Sequence, residues 1–211
     1  MLLWLWWGFM LNNSIINITL WNKNRDKLAF FYIFTNAYRS TFLVVHSTNT
    51  CIFTICSPFI ERTLSTIAEI AFTHQIINYF KLTDNFNLCM ISNIYMAEIY
   101  CWLGIITGES KYHVMEETIW CCNAVFLFLW INYINKDLII PKKILINNIL
   151  IIYIAYMCIY DIPYYIHRED VNKKQLFFCE ILSSNIDDYK SSLIWMTGYF
   201  TVGSWISLSL R

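Results

Sequence analysis

The sequence predicts an all-α fold, a polytopic transmembrane helical bundle of about six spans, on three observations. Apolar residues make up 57% of the 211-residue chain and charged residues only 14%, whereas soluble domains carry about 25% charged residues. Apolar runs close to the length that crosses a bilayer as a helix recur along the chain. With five glycines and three prolines there is little material for a flexible linker. We therefore expect residues 1–211 to form a single integral membrane domain.

The first helix is predicted at residues 2–21, where several tryptophans near the start suit a membrane interface. Residues 28–45 have two interpretations because Asn36 and Arg39 interrupt an otherwise apolar segment. A helix lying in the interface is favoured, and a seventh span is the alternative. The remaining spans are predicted, in order, at 59–80, 87–107, 112–134, 144–166 and 190–210.

The helix at 59–80 is organised around a polar stripe. At about 100° per residue, Arg62, Thr66, Glu69 and Thr73 fall on one face, with Ser65 at its edge. An ionisable residue in the middle of a membrane helix costs about 2.5–3.5 kcal/mol on insertion scales, so such residues face a bundle interior or a wet cavity. This helix is therefore predicted to form one wall of a buried polar site.

Ionisable residues on four helices converge on one half of the predicted bundle, because successive loops alternate sides. The short GESK loop at 108–111 brings the end of one helix beside the start of the next. The candidate acid–base residues are Glu69, Glu98, His113, Glu116, Glu117 and Asp161. The candidate substrate-binding residues are Arg62, Thr66, Trp102, Trp120, Tyr165, Trp195 and Tyr199.

The blocks RTLSTIAEIAFTHQ, MAEIYCWLGIIT, HVMEETIW, YDIPYY and WMTGYFTVGSW resemble those of a family of small polytopic membrane proteins to which no activity is assigned. Ser65 and Cys101 depart from the family pattern, which has alanine and serine there. The resemblance implies that the polar residues form one site. The matching positions are Arg62, Thr66, Glu69, Gln75, Glu98, Trp102, Glu116, Glu117, Trp120, Asp161, Pro163, Tyr165, Trp195, Met196, Tyr199 and Phe200.

Each candidate also has a structural interpretation. Arg62 and Glu69 form either a buried ion pair that fixes the bundle or a seat in which Arg62 binds an anion. An acidic side chain near the start of a helix interacts favourably with the helix dipole. One of Glu116 and Glu117 is therefore expected to have only this stabilising role. Asp161 has two interpretations. It caps a break that Pro163 makes in the helix, or it is a proton carrier whose carboxyl group is desolvated by the aromatic side chains around it.

His113 is the better general-base candidate because the ordinary pKa of histidine lies near neutrality. A metal site is a further alternative, although the chain has His113-x-x-Glu116 rather than the Glu-x-x-His order of di-metal bundles. We predict no metal and no cofactor. The eight cysteines include no CxxC pair, so they are interpreted as small apolar residues.

Three hypotheses for the function follow. The first is a membrane-embedded enzyme acting on a lipid or other amphiphilic substrate, with Arg62 binding the headgroup. The second is a proton-coupled transporter or channel that uses the same carboxylates. The third is a structural membrane subunit whose polar face binds a partner. Membrane lipids are the expected partners, and nucleic acid is excluded because the chain has zero net charge and no basic patch.

Overall fold

The structure is a computed structural model that describes residues 2–42, 45–50, 58–134, 138–167, 178–181, 189 and 193–210. The helices in these residues are α1 (Leu2–Asn24), α2 (Lys27–Thr41), α3 (Pro58–Phe80), α4 (Asp84–Thr107), α5 (Ser110–Ile134), α6 (Ile140–His167) and α7 (193–209). A π-helical turn forms the last described turn of α5, at Trp130–Ile134, and others interrupt α6 at Met157–Asp161 and α7 at Gly198–Gly203.

The predominantly helical class is confirmed, with one short exception. Strand β1 (Val45–Thr50) pairs antiparallel with β2 (Phe178–Ile181), so that Val45 lies opposite Ile181 and Thr50 opposite Phe178. No strand is predicted from the sequence. Local sequence patterns do not reveal the β1–β2 pair because its two short strands are separated by more than half of the chain.

Three helices in the described residues, α4, α5 and α6, are long and apolar enough to cross a membrane. They support the prediction of a membrane protein, whereas the six-span bundle is not confirmed. Helix α2 has 15 residues, which at 1.5 Å per residue reach about 22 Å. That is less than the hydrocarbon core of about 30 Å, so the length of α2 favours the interfacial interpretation over a seventh span.

Local chemistry explains several helix ends. Asp26 caps α2 by accepting a hydrogen bond from the backbone N–H of Ala29 at 2.7 Å. Gly108 ends α4 with φ 78°, a left-handed conformation that favours glycine, and its N–H donates to the carbonyl of Gly104 at 2.8 Å. Pro141 lies in the first turn of α6, where its missing N–H breaks no helical hydrogen bond. These contacts explain where α2 begins, where α4 ends and where α6 begins.

The chain packs as two units, Met1–Lys81 with Leu176–Arg211, and Leu82–Gln175. In the first unit, α2 packs against α1, α3 and α7. Its apolar cluster consists of Met10, Tyr189 and Phe200, with tryptophans of α1 and α7 around it. The tryptophans at the start of α1 also make hydrogen bonds: the indole of Trp6 donates to the hydroxyl of Thr197 at 2.9 Å.

Buried amide side chains also join the helices of the first unit. The Asn36 amide donates to the Ser204 hydroxyl at 2.9 Å, linking α2 to α7. The Ser207 hydroxyl donates to the Gln75 carbonyl oxygen at 2.6 Å, linking α7 to α3. Each bond satisfies polar groups that would be costly to bury alone.

In the second unit, α4 and α5 form an antiparallel pair joined by the two residues Gly108 and Glu109, and α6 packs on α5. Helix α6 is not broken at Pro163. The proline has no N–H to donate to the preceding turn, and the π-helical turn Met157–Asp161 lies directly before it, so the helix continues to His167. Asp161 therefore lies inside a continuous helix, which corrects the interpretation that it caps a break.

Candidate functional site

The polar stripe of α3 is buried in the first unit, as its periodicity predicts. Ser65, Glu69 and Thr73 are buried, while Arg62 and Thr66 are half-buried. The guanidinium of Arg62 lies 3.1 Å from the Glu69 carboxylate. The same carboxylate oxygen accepts a hydrogen bond of 2.9 Å from the Tyr199 hydroxyl. The buried Glu69 carboxylate therefore has two partners, Arg62 on its own helix and Tyr199 on α7.

Arg39 was not predicted as a site residue, although it lies beside this group. Its guanidinium is 2.5 Å from the Glu61 carboxylate and donates to the Ser65 hydroxyl at 2.9 Å. It also lies over the ring of Trp195, 4.7 Å from the centroid, a cation–π geometry. The signal for Arg39 was its helical spacing from Tyr32 and Asn36, which places all three on the buried face of α2.

These contacts agree with the structural interpretation of the Arg62–Glu69 pair. Arg62 is engaged by an acid on its own helix, and Arg39 is engaged by Glu61. Trp195 stacks on Tyr199, with centroids 5.2 Å apart. Two cations, two carboxylates and a hydroxyl are thus paired inside the first unit.

The second unit holds a different set of ionisable groups, centred on His113 and Glu116 of α5. Nδ1 of His113 lies 2.9 Å from Oε2 of Glu116, and both side chains are buried. Their i, i+3 spacing places them on one face of the helix. A carboxylate bound to one ring nitrogen fixes the orientation and the tautomer of the imidazole, which prepares the other nitrogen to exchange a proton.

The His113 ring fits against α4 because residue 104 is glycine. A Cβ atom built on Gly104 would lie 2.6 Å from Nε2 of His113, closer than real atoms approach. On another side, the Tyr165 ring stacks on the imidazole with centroids 5.0 Å apart and an interplanar angle of 29°. Helices α4 and α6 therefore both hold the ring in place.

Asp161 adds a second acidic group beside this pair. Its carboxylate accepts a hydrogen bond of 3.2 Å from the Tyr156 hydroxyl. It also interacts with the side chains of Glu117, Glu116 and His113. Both glutamates of the HVMEE segment are therefore engaged with partners, and the expectation that one of them serves only the helix dipole is wrong. Tyr156 was missed, because a tyrosine in an apolar helix gives no local signal of its partner.

Cys101 of α4 completes the set. Its sulfur, one ring nitrogen of His113 and one carboxylate oxygen of Glu116 all lie within 4.8 Å of one another. Cys101 is almost fully buried, at 1% exposure. These three side chains are the group in the described residues whose donor atoms are close enough to hold a metal ion.

The groups of the second unit share a common level along their helices. Cys101, Glu116 and Asp161 each lie about 9 Å, at 1.5 Å per residue, from a helix end at Thr107, Ser110 and His167 respectively. The turn at Gly108 and Glu109 brings two of those ends together. The cluster therefore lies off-centre, about midway between one end and the middle of the three long helices.

The remaining predicted residues of the second unit lie on α4 and α5. Glu98 is buried one turn before Cys101, on the same face of α4. Trp102 and Trp120 are half-buried. The thirteen predicted residues are thus divided between the units: Arg62, Thr66, Glu69, Trp195 and Tyr199 lie in the first, and Glu98, Trp102, His113, Glu116, Glu117, Trp120, Asp161 and Tyr165 in the second.

Comparison of the chain with protein-family models, with curated protein sequences and with solved structures gives no match. The resemblance to a family of small polytopic membrane proteins therefore stays a prediction. What supports a function is the geometry of the two sets of residues.

Proposed function

We propose that this protein is a multi-pass integral membrane enzyme that performs acid–base chemistry on a lipid or another amphiphilic substrate. The observation that carries the proposal is the buried His113–Glu116 pair, 2.9 Å apart, with the interacting carboxyl groups of Asp161 and Glu117 beside it. Burying several ionisable groups in apolar helices is costly, and in membrane proteins such groups mark functional pathways and sites.

The proposed division of labour uses residues of the second unit only. His113, held by Glu116 and Tyr165, acts as the general base. One of Asp161 and Glu117 acts as the acid, since two interacting carboxyl groups in apolar surroundings favour one shared proton over two charges. Arg62 is left out of this site because its guanidinium is paired with Glu69. This proposal replaces the earlier expectation that Arg62 binds the substrate headgroup.

The level of the cluster supports an amphiphilic substrate. A site about 9 Å from the ends of helices about 35–40 Å long lies about 4–7 Å inside the boundary between headgroups and hydrocarbon when α4, α5 and α6 cross a bilayer. The outer faces of these helices are apolar, as the exposed Ile151, Ile152 and Ile159 show. A lipid arriving from the bilayer would present its polar bonds at this level while its chains remain in hydrocarbon.

A shallow apolar groove on α5 and α6 fits the same proposal. It is lined by Phe128, Ile151, Ile154, Ala155, Cys158 and Ile159. Cys158 and Ile159 belong to the π-helical turn that also contains Asp161. An acyl chain in this groove would run along α6 toward the acidic residues.

The proposal is tested by incubating the purified protein in nanodiscs with defined lipid classes that carry ester, amide or phosphodiester bonds, followed by mass spectrometry of the products. Glu116→Gln should lower the turnover found with wild type by about 100-fold or more, because general acid–base groups contribute about 10²–10⁴-fold to a rate. Glu109→Gln is the matched control, since Glu109 is exposed and paired with Lys111. Equal turnover by wild type and Glu116→Gln would contradict the proposal.

A second candidate function is proton-coupled transport. It is favoured by the number of protonatable side chains in contact, since Asp161 interacts with Glu117, Glu116, His113 and Tyr156. In liposomes under an imposed pH gradient, transport predicts a proton flux that Glu98→Gln abolishes. The enzyme proposal predicts no such flux in the wild-type protein.

A further inference from the structure

We infer that Cys101, His113 and Glu116 form a binding site for one divalent transition-metal ion of the zinc class. Their sulfur, nitrogen and oxygen donor atoms come from two helices and all lie within 4.8 Å of one another. All three side chains are buried, so the donors are shielded from bulk water and from competing ligands. The sequence alone predicts no metal, because the Glu-x-x-His order of carboxylate-rich di-metal sites is absent and the cysteines are interpreted as small apolar residues.

The spacing of the donors fits a single ion. Zinc lies about 2.0–2.3 Å from nitrogen, oxygen and sulfur ligands, so two ligands of one ion can be at most about 4.6 Å apart. The observed limit of 4.8 Å therefore requires only small side-chain adjustments. Nδ1 of His113 and Oε2 of Glu116 are already 2.9 Å apart. An ion between them would take the place of the proton that now joins them.

The donor set selects the class of metal. A thiolate, an imidazole and a carboxylate together favour zinc or cobalt over magnesium and calcium, which prefer oxygen ligands alone. Three protein ligands also leave a position for water or substrate, as in catalytic zinc sites. Asp161 interacts electrostatically with both His113 and Glu116, as do the carboxylates that surround bound metals in proteins.

The surrounding packing prepares the site. The Tyr165 ring and the glycine at position 104 fix the imidazole against α4, where Cys101 lies one turn before Gly104. Metal sites need this support because a ligand held in one orientation loses little freedom on binding. The inference shares His113 and Glu116 with the proposed function. An imidazole bound to an ion through one nitrogen carries its proton on the other, so the general-base role of His113 would belong to the ion-free protein. Metal binding is measured without a substrate, so the two proposals can fail separately.

The test is a Co²⁺ titration of tag-free protein purified in detergent and stripped with a chelator. We expect one equivalent to bind, with a near-ultraviolet thiolate-to-cobalt absorption band that Zn²⁺ displaces. Cys101→Ser should abolish the band, and Glu116→Gln should weaken Co²⁺ binding by about tenfold or more. The matched control is Cys121→Ser. Cys121 and Cys158, whose sulfurs lie 3.7 Å apart, are the competing pair of thiols.

Three results would overturn the inference. The first is the absence of a thiolate band in folded wild-type protein. The second is a band that survives Cys101→Ser. The third is a band that disappears in Cys121→Ser, which would place the ion on the other pair of thiols. Size-exclusion profiles and thermal unfolding of each variant establish that it is folded, and Glu116→Gln supplies an independent readout if Cys101→Ser does not fold.

Discussion

Glu69→Ala is expected to lower the free energy of unfolding by about 3–5 kcal/mol, because removing one partner of a buried ion pair leaves the other charge uncompensated. The Arg62 side chain is only 13% exposed and lies 3.1 Å from Glu69. The Tyr199 hydroxyl would lose its acceptor in the same variant. Chemical unfolding in detergent, followed by tryptophan fluorescence, measures the change.

Two further variants decide whether the loss comes from the buried charge. Arg62→Met combined with Glu69→Leu removes both charges, and it should recover more than half of the stability because a buried pair replaced by apolar residues is often neutral. Glu109→Ala removes an acid from the exposed pair with Lys111 and should cost no more than about 1 kcal/mol. If Glu69→Ala costs no more than Glu109→Ala, the interpretation of the Arg62–Glu69 pair is wrong.

Gly104→Ala is expected to lower the free energy of unfolding by about 1–3 kcal/mol, the usual cost of overpacking a close contact. The added methyl group would lie 2.6 Å from Nε2 of His113, so the ring must move away from α4. Because the ring position sets the distance to Glu116, the same variant should also lose Co²⁺ binding and turnover. Thermal unfolding and the cobalt titration measure the two effects.

The matched control is Gly8→Ala. Position 8 has nothing within 4 Å of an added Cβ, and alanine in a helix interior is favoured over glycine by about 0.5–1 kcal/mol. Gly8→Ala should therefore leave stability unchanged or raise it. A Gly104→Ala variant that behaves like Gly8→Ala would show that His113 does not pack against residue 104.

Local patterns were sufficient to predict the helices and the buried face of α3. The spacing of Ser65, Glu69 and Thr73 follows the helical period, and all three are buried. The position of α5 beside α4 was also predictable, since a loop as short as GESK leaves only an antiparallel arrangement. Helical periodicity and the antiparallel α4–α5 pair together place Cys101 close to His113 and Glu116. The sequence did not identify these three residues as a set of metal ligands.

Contacts between distant helices could not be predicted in this way. The Ser207 hydroxyl binds Gln75 across 132 positions, and neither residue carries a local signal of the other. None of the predicted site residues is an asparagine, yet Asn13 and Asn36 are buried and hydrogen-bonded to α7. A periodic pattern shows which face of a helix is buried, but it does not identify the helix that covers that face.

The same limit applies to the predicted site. The sequence places Arg62, Glu69, His113 and Asp161 in one half of a bundle by counting loops, and loop counting gives depth without lateral position. In the structure, the contacts described above join Arg62 and Glu69 to α7, and they join His113 and Asp161 to the groups of α4, α5 and α6.

The central claim is that the acids of the second unit form one buried, proton-sharing site, and the reaction of a membrane-soluble carbodiimide with the wild-type protein tests it most directly. Such reagents attack protonated carboxyl groups in apolar surroundings. Because Asp161 and Glu117 interact in apolar surroundings, we expect them to share one proton rather than carry two charges. Peptide mass spectrometry should therefore find the adduct on one of these two residues, and Asp161→Asn should change its yield. Adducts confined to exposed acids such as Glu109, with Asp161 and Glu117 unmodified, would contradict the claim.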